Sequence, residues 1–139
     1  MSPLKKILIV EDDEKLLGVL VAKFSKEGFL VLKANNGEEG LSVALKEHPD
    51  LIMLDNLMPK MDGMTVMRNL REDSWGKNVP IFILTAYDIN DETIKDVEEG
   101  HPTYYLVKKM IDLDDVLKKV KDTLEKVEKH PNEDIEKLK

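Results

Sequence analysis

Short apolar runs alternate along this chain with longer stretches in which apolar residues return every third or fourth position. Residues 7–10 (Ile-Leu-Ile-Val) follow two lysines and run into acids, the pattern of a buried strand. Across residues 14–27, Leu16, Leu17, Leu20, Val21 and Phe24 recur at helical spacing, and Gly28 stops the run. Residues 29–33 predict a second strand, and Asn35-Asn36-Gly37 is turn chemistry. A second helix is predicted over 38–47, ended by His48-Pro49, and a third strand over 51–54. A third helix over 64–71 turns Met64, Met67 and Leu70 inward. Residues 79–84 read as a fourth strand, 91–99 as a weakly apolar fourth helix anchored by Ile94 and Val97, and 104–107 as a fifth strand. The fifth helix covers 113–129, with Leu113, Val116, Leu117, Val120, Leu124 and Val127 along one stripe.

Strands alternating with helices imply an α/β fold: parallel strands, right-handed crossovers and helices on both faces. Uniformly apolar strands fit a sheet covered on both sides. Neither a repeat nor a linker divides the chain, so one domain is expected over 1–130, followed by a charged tail over 131–139.

Composition narrows the function. The 139 residues suit a single core, and an apolar share of 42% is ordinary for a globular protein. A formal charge of -7 argues against direct nucleic-acid binding and against an anionic membrane surface. With no cysteine, disulfide and thiolate chemistry are excluded. No signal-peptide core or membrane span is visible, so a cytoplasmic protein is expected.

The chemistry gathers at strand ends. The first strand delivers Glu11, Asp12 and Asp13; the third, Asp55; the fourth, Thr85; the fifth, Lys108. In a parallel sheet these ends share one edge, where open α/β sheets build their sites. Taken singly, an acid, threonine or lysine after a strand is usually solvated; the conjunction is not readily accidental. Crowded Glu11, Asp12 and Asp55 repel one another, and a hard divalent cation relieves that. Oxygen-only ligands favour Mg2+. Mg2+ and Lys108 together would neutralise the three acids. Such a pocket suits phosphoryl transfer, with Asp55 as nucleophile and Thr85 and Lys108 holding oxygens. Asp13 sits one step too late and reads as the cap of the first helix. The methionines read as core filler, and none of His48, His101 and His130 has a second histidine at ligand spacing. Trp75 is expected in the loop before the fourth strand, away from Asp55.

Four segments together resemble the receiver domain of two-component response regulators, the family of the single-domain chemotaxis regulator. They are Ile9-Val10-Glu11-Asp12, Asp55-Asn-Leu-Met-Pro59-Lys-Met-Asp62-Gly63, Leu84-Thr85-Ala86 and Tyr105-Leu-Val-Lys108. The resemblance implies a flavodoxin-like five-stranded sheet of order 2-1-3-4-5. It implies that Asp55 accepts phosphate from a sensor histidine kinase or a histidine phosphotransfer protein. It further implies that Asp12, Asp55 and the Leu57 carbonyl ligate Mg2+, with Glu11 acting through water. Thr85 and Tyr105 would form a switch, Tyr105 turning from exposed to buried, read by an unidentified downstream protein at the face of the fourth helix, fifth strand and fifth helix. The expected role is a signalling switch rather than an enzyme.

Two departures stand out. The family's proline and phenylalanine after the lysine are here Lys109-Met110, which makes a cis bond expensive by ~3 kcal/mol and points to a trans path. It also admits Lys109 in the lysine's role, although the spacing from Tyr105 favours Lys108. The second departure, Gly100-His-Pro-Thr-Tyr104, makes the approach to the fifth strand bulkier. Leu57 and Tyr87 occupy the places expected to shield an aspartyl phosphate from water. Two alternatives remain: a docking module that keeps the fold but not phosphorylation, and a Mg2+-dependent phosphohydrolase with an aspartate nucleophile. The second needs a general acid two residues beyond Asp55, where Leu57 stands.

Overall fold

The computed structural model describes residues 4–86 and 100–129. The expected helix over 91–99, Tyr87 and the tail over 131–139 lie outside the described residues. Strands β1 (Lys6–Val10), β2 (Leu30–Ala34), β3 (Leu51–Asp55), β4 (Ile81–Thr85) and β5 (Tyr104–Val107) form one parallel sheet in the order β2-β1-β3-β4-β5. This is the flavodoxin-like order expected from the resemblance. The described helices are α1 (Glu14–Lys26), α2 (Gly37–Glu47), α3 (Gly63–Glu72) and α4 (Leu113–Lys129).

Side chains on a strand alternate between faces, so each strand feeds two cores. Leu8, Val10, Ile52, Leu54, Ile81 and Ile83 face α2 and α3, packing with Ala44, Met64, Val66, Met67 and Leu70. Ile7, Ile9, Leu51, Met53, Phe82 and Leu84 face α1 and α4, packing with Leu17, Leu20, Phe24, Val116, Val120 and Leu124. The expectation of full coverage holds for β3 and β4 and nearly for β1, whereas the edge strands β2 and β5 are only partly buried. On α4, Val127 stays exposed and Thr123 joins the buried side, its hydroxyl donating to the Lys119 carbonyl at 2.8 Å.

Caps fix where helices begin. The Asp13 carboxylate accepts from the amides of Lys15 and Leu16, as expected of a cap. Asn36 caps α2 by accepting from Glu39, so Asn36-Gly37 opens a helix rather than a simple turn.

The amino edge of the sheet is tied by side chains. Arg71, at the end of α3, donates to the carbonyls of Gly100, Gly76, Lys77, Val79 and His101 at 2.7–3.4 Å. Burial lowers its pKa to about 10, which still leaves it charged at neutral pH. Nearby, the Trp75 indole stacks on the His48 imidazole, with centroids 4.4 Å apart and planes 5° from parallel.

Candidate metal and phosphoryl site

The register sets the opposite, carboxyl edge. Val10 lies beside Ala34 and Leu54, Asp55 beside Leu84, and Thr85 beside Val107. Strand ends are therefore nearly flush, and the residues that follow them emerge together. Past β1, the Glu11 amide donates to the Ala34 carbonyl at 3.0 Å, prolonging the ladder by one residue and leaving Glu11 fully buried. Asp12 is exposed beside it, while Asp13 turns into its capping role.

Asp55 ends β3 and is 2% exposed. The Asn56 amide donates to Leu84 and the Gly63 amide to Asn56, both at 2.8 Å, so the intervening loop doubles back over the strand end. The fold admits only glycine at 63: a Cβ there would stand 2.3 Å from the Asp55 carbonyl oxygen. Leu57 sits in this loop with its side chain half-exposed. Thr85 is buried at the end of β4, one residue past the partner of Asp55.

Lys108 begins a single 3-10 turn over Lys108–Met110, closed by the Ile111 amide donating to the Lys108 carbonyl at 3.2 Å. Among the described residues every peptide bond is trans, matching the path expected where proline is missing. That path does not draw Lys108 away. Its Nζ lies 2.6 Å from Glu11 Oε1 and 3.1 Å from Asp55 Oδ1. The Glu11 contact is an ion pair that lacks the angles of a directed hydrogen bond. Lys109 is exposed, so Lys108 holds the place that spacing favoured.

Carboxylate oxygens of Glu11, Asp12 and Asp55 all lie within 4.8 Å of one another, the grouping with metal-ligand spacing among the described residues. Burial, then hydrogen bonding to Glu11 and Asp12, pushes Asp55 up to about 8 against the opposing pull of Lys108. Burial disfavours the Lys108 ammonium, but contact with Glu11 and Asp55 outweighs it and its pKa is raised. One ammonium does not satisfy three acids, two of them buried. A hard cation on these oxygens would relieve the excess, and an all-oxygen donor set fits Mg2+.

Tyr105 stands on β5 with its ring half-buried against the α2–α3 core. Its hydroxyl is buried without a hydrogen-bond partner among the described residues. The ring is therefore neither fully exposed nor fully buried. Sequence reading passed over Gly63 as a steric requirement; its place directly after the helix-capping Asp62 was the available signal.

A sequence profile of the family described as "Response regulator receiver domain" matches residues 7–121. The alkaline phosphatase synthesis transcriptional regulatory protein PhoP of Bacillus subtilis is 39% identical over 100 residues, covering 72% of this chain and 41% of PhoP. The chain spans about two-fifths of the length of PhoP and of the ycf27 regulator of Porphyridium aerugineum, which it also matches. A CheY-like response regulator receiver domain protein from Methanospirillum hungatei superposes with a TM-score of 0.84 at 26% identity, over 92% of this chain and 99% of that one. The CheX-CheY-BeF3-Mg+2 complex from Borrelia burgdorferi gives 0.75 at 30% identity, over 86% and 88%. A shared sheet order, a flush carboxyl edge and a profile spanning most of the chain agree: this protein belongs to the response regulator receiver domain family of two-component signalling.

Proposed function

We propose that this chain is a phosphoacceptor switch in which Asp55 takes a phosphoryl group from a sensor histidine kinase or a histidine phosphotransfer protein. One observation carries the reading. Carboxylates from two strand ends converge within 4.8 Å, and the lysine after a third strand touches two of them. The Borrelia burgdorferi relative, held with BeF3 and Mg2+, supports an anion and a cation sharing such a site.

Asp55 must be ionised to attack. Lys108 favours the ionised form, against burial and its acidic neighbours. Asp12, Asp55 and the Leu57 carbonyl are the proposed Mg2+ ligands, with Glu11 acting through water. When bound, Mg2+ supplies two positive charges that lower the cost of ionising Asp55 and neutralise the incoming group. An Asp55 oxygen forms a bond to phosphorus as the phosphorus–nitrogen bond of a phosphohistidine breaks, the imidazole leaving with the bonding pair. Lys108 exchanges its hold on Asp55 for a phosphoryl oxygen, and the Thr85 hydroxyl donates to another. Thr85 and Tyr105 then shift the face that includes β5 and α4, and a downstream protein reads the change. The docking-module alternative draws on Lys109-Met110, whereas the ion pairs of Lys108 favour the phosphoacceptor reading.

The test is incubation with Mg2+ and acetyl phosphate, whose acyl oxygen replaces nitrogen as the leaving atom. A single acid-stable, base-labile phosphate should form on the wild type and vanish in Asp55→Asn. Label that persists in Asp55→Asn misplaces the nucleophile. Rapid turnover of many equivalents of donor favours the hydrolase.

A further inference from the structure

Helix α2 meets the site through glycine. A Cβ built on Gly37, the first residue of α2, would lie 1.8 Å from the Met61 carbonyl oxygen, 2.6 Å from its carbon and 2.9 Å from its Cβ. One turn on, a Cβ on Gly40 would stand 2.8 Å from both γ-methyls of Val10, the last residue of β1 before Glu11. The helix therefore rests on the Val10 side chain beside Glu11 and on the Met61 backbone, in the loop that carries Leu57. An alanine at 37 would meet backbone rather than a yielding side-chain tip. Helix or loop must retreat by roughly 1 Å in a close-packed interior.

The loop has little room to absorb that retreat at its ends. Asn56 is pinned to Leu84 and Gly63 to Asn56, while Asp62 caps α3 by accepting from Thr65 at 2.8 Å. A push on Met61 passes into residues 57–61. There the Met61 amide donates to Pro59 at 2.9 Å, and Lys60 already lies in the left-handed region at φ 70°. Leu57, whose carbonyl is a proposed ligand, belongs to this span. Mg2+ tolerates little displacement, since it demands near-ideal octahedral geometry.

We infer that Gly37 is a positioning residue for the metal loop: its missing side chain sets how closely α2 abuts Met61, and so where the Leu57 carbonyl stands over Asp55. This role rests on the proposed function. It makes a prediction of unusual sign, because alanine is the better helix former and by propensity alone would stabilise α2.

Titration calorimetry of the unphosphorylated protein with Mg2+ separates the outcomes. Gly37→Ala should lower Tm and weaken Mg2+ binding about tenfold or more, the usual range for supporting residues of a metal site. Labelling by acetyl phosphate should recover at saturating Mg2+. Gly18→Ala, on α1 with nothing within 4 Å of the added methyl, should bind Mg2+ as wild type does. A folded Gly37→Ala with wild-type Mg2+ affinity overturns the role. If the single variant does not fold, trimethylamine oxide is added to favour its compact state, and the titration is run with wild type in the same solution. Weakened Mg2+ binding there upholds the role, and wild-type binding overturns it. A wild type that takes up no Mg2+ fails differently, since it removes the proposed function and this role together.

Discussion

Two edges of one sheet treat buried charge in opposite ways. At the amino edge, the Arg71 guanidinium meets five carbonyl oxygens and, among the described residues, no carboxylate. At the carboxyl edge, Glu11 and Asp55 are buried with Asp12 against them, and Lys108 pairs with only the two buried acids. The first arrangement is well matched, with all three guanidinium nitrogens donating and loops stitched together as a result. The second holds an excess of one sign that folding alone does not discharge. Burying a charge is tolerable when its partners surround it, and a shortage of partners marks a place built for something that arrives later.

Removing the well-matched charge should hurt the fold most. Arg71→Met keeps much of the apolar stem but orphans the carbonyls, and hydrogen bonds from a charged donor are each worth ~1.5–3 kcal/mol. We expect a loss of about 3 kcal/mol in urea unfolding, with Mg2+ affinity by calorimetry unchanged. Arg71→Lys should recover little, since an ammonium lacks the planar fork. A substantial loss of Mg2+ affinity in Arg71→Met would break the distinction between the edges.

The poorly matched charge should act with the reverse sign. An aspartate in the unfolded chain ionises near 3.8, whereas Asp55 in the metal-free fold does so at about 8. Between those values the fold holds the extra proton, so this stabilisation is full below pH 4 and is lost as pH rises through 8. Metal-free protein should therefore lose on the order of 2 kcal/mol from pH 5 to pH 9, measured by urea unfolding in EDTA. Asp55→Asn should flatten that slope, and Mg2+ should restore the wild type by mass action. A metal-free slope identical in Asp55→Asn would show that another group titrates there.

The smallest effect compares neighbours in sequence. Asp13 is adjacent to Asp12, yet its carboxylate is spent on two amides. Asp13→Ala should cost about 1 kcal/mol and Asp13→Asn almost nothing, both leaving Mg2+ binding intact.

Much of this was legible in residue order. The apolar pattern located the described elements because each helix buries one face, as α1 does with Leu17, Leu20 and Phe24, while the central strands are apolar on both. Glu11, Asp12, Asp55, Thr85 and Lys108 were legible because a parallel sheet converts the position after a strand into a shared location. What escaped depends on backbone meeting backbone or side chain meeting backbone. Nothing in the letter Arg at 71 announces that Gly76, Val79 and Gly100 will offer carbonyls to it. Gly37 reads as an ordinary turn residue until Met61 is seen against it. Coverage of β2 and β5 was overstated because apolar letters alone do not separate a central strand from an edge.

The stacked Trp75 and His48 join the end of α2 to the segment after α3, at the opposite rim from the acids. As the chain carries one tryptophan, its ultraviolet emission is a private gauge of that rim. Pulling the indole off its imidazole into water would redden the light, while filling the acidic pocket should scarcely stir it. A spectrometer can thus follow the scaffold's integrity separately from whatever the acids hold.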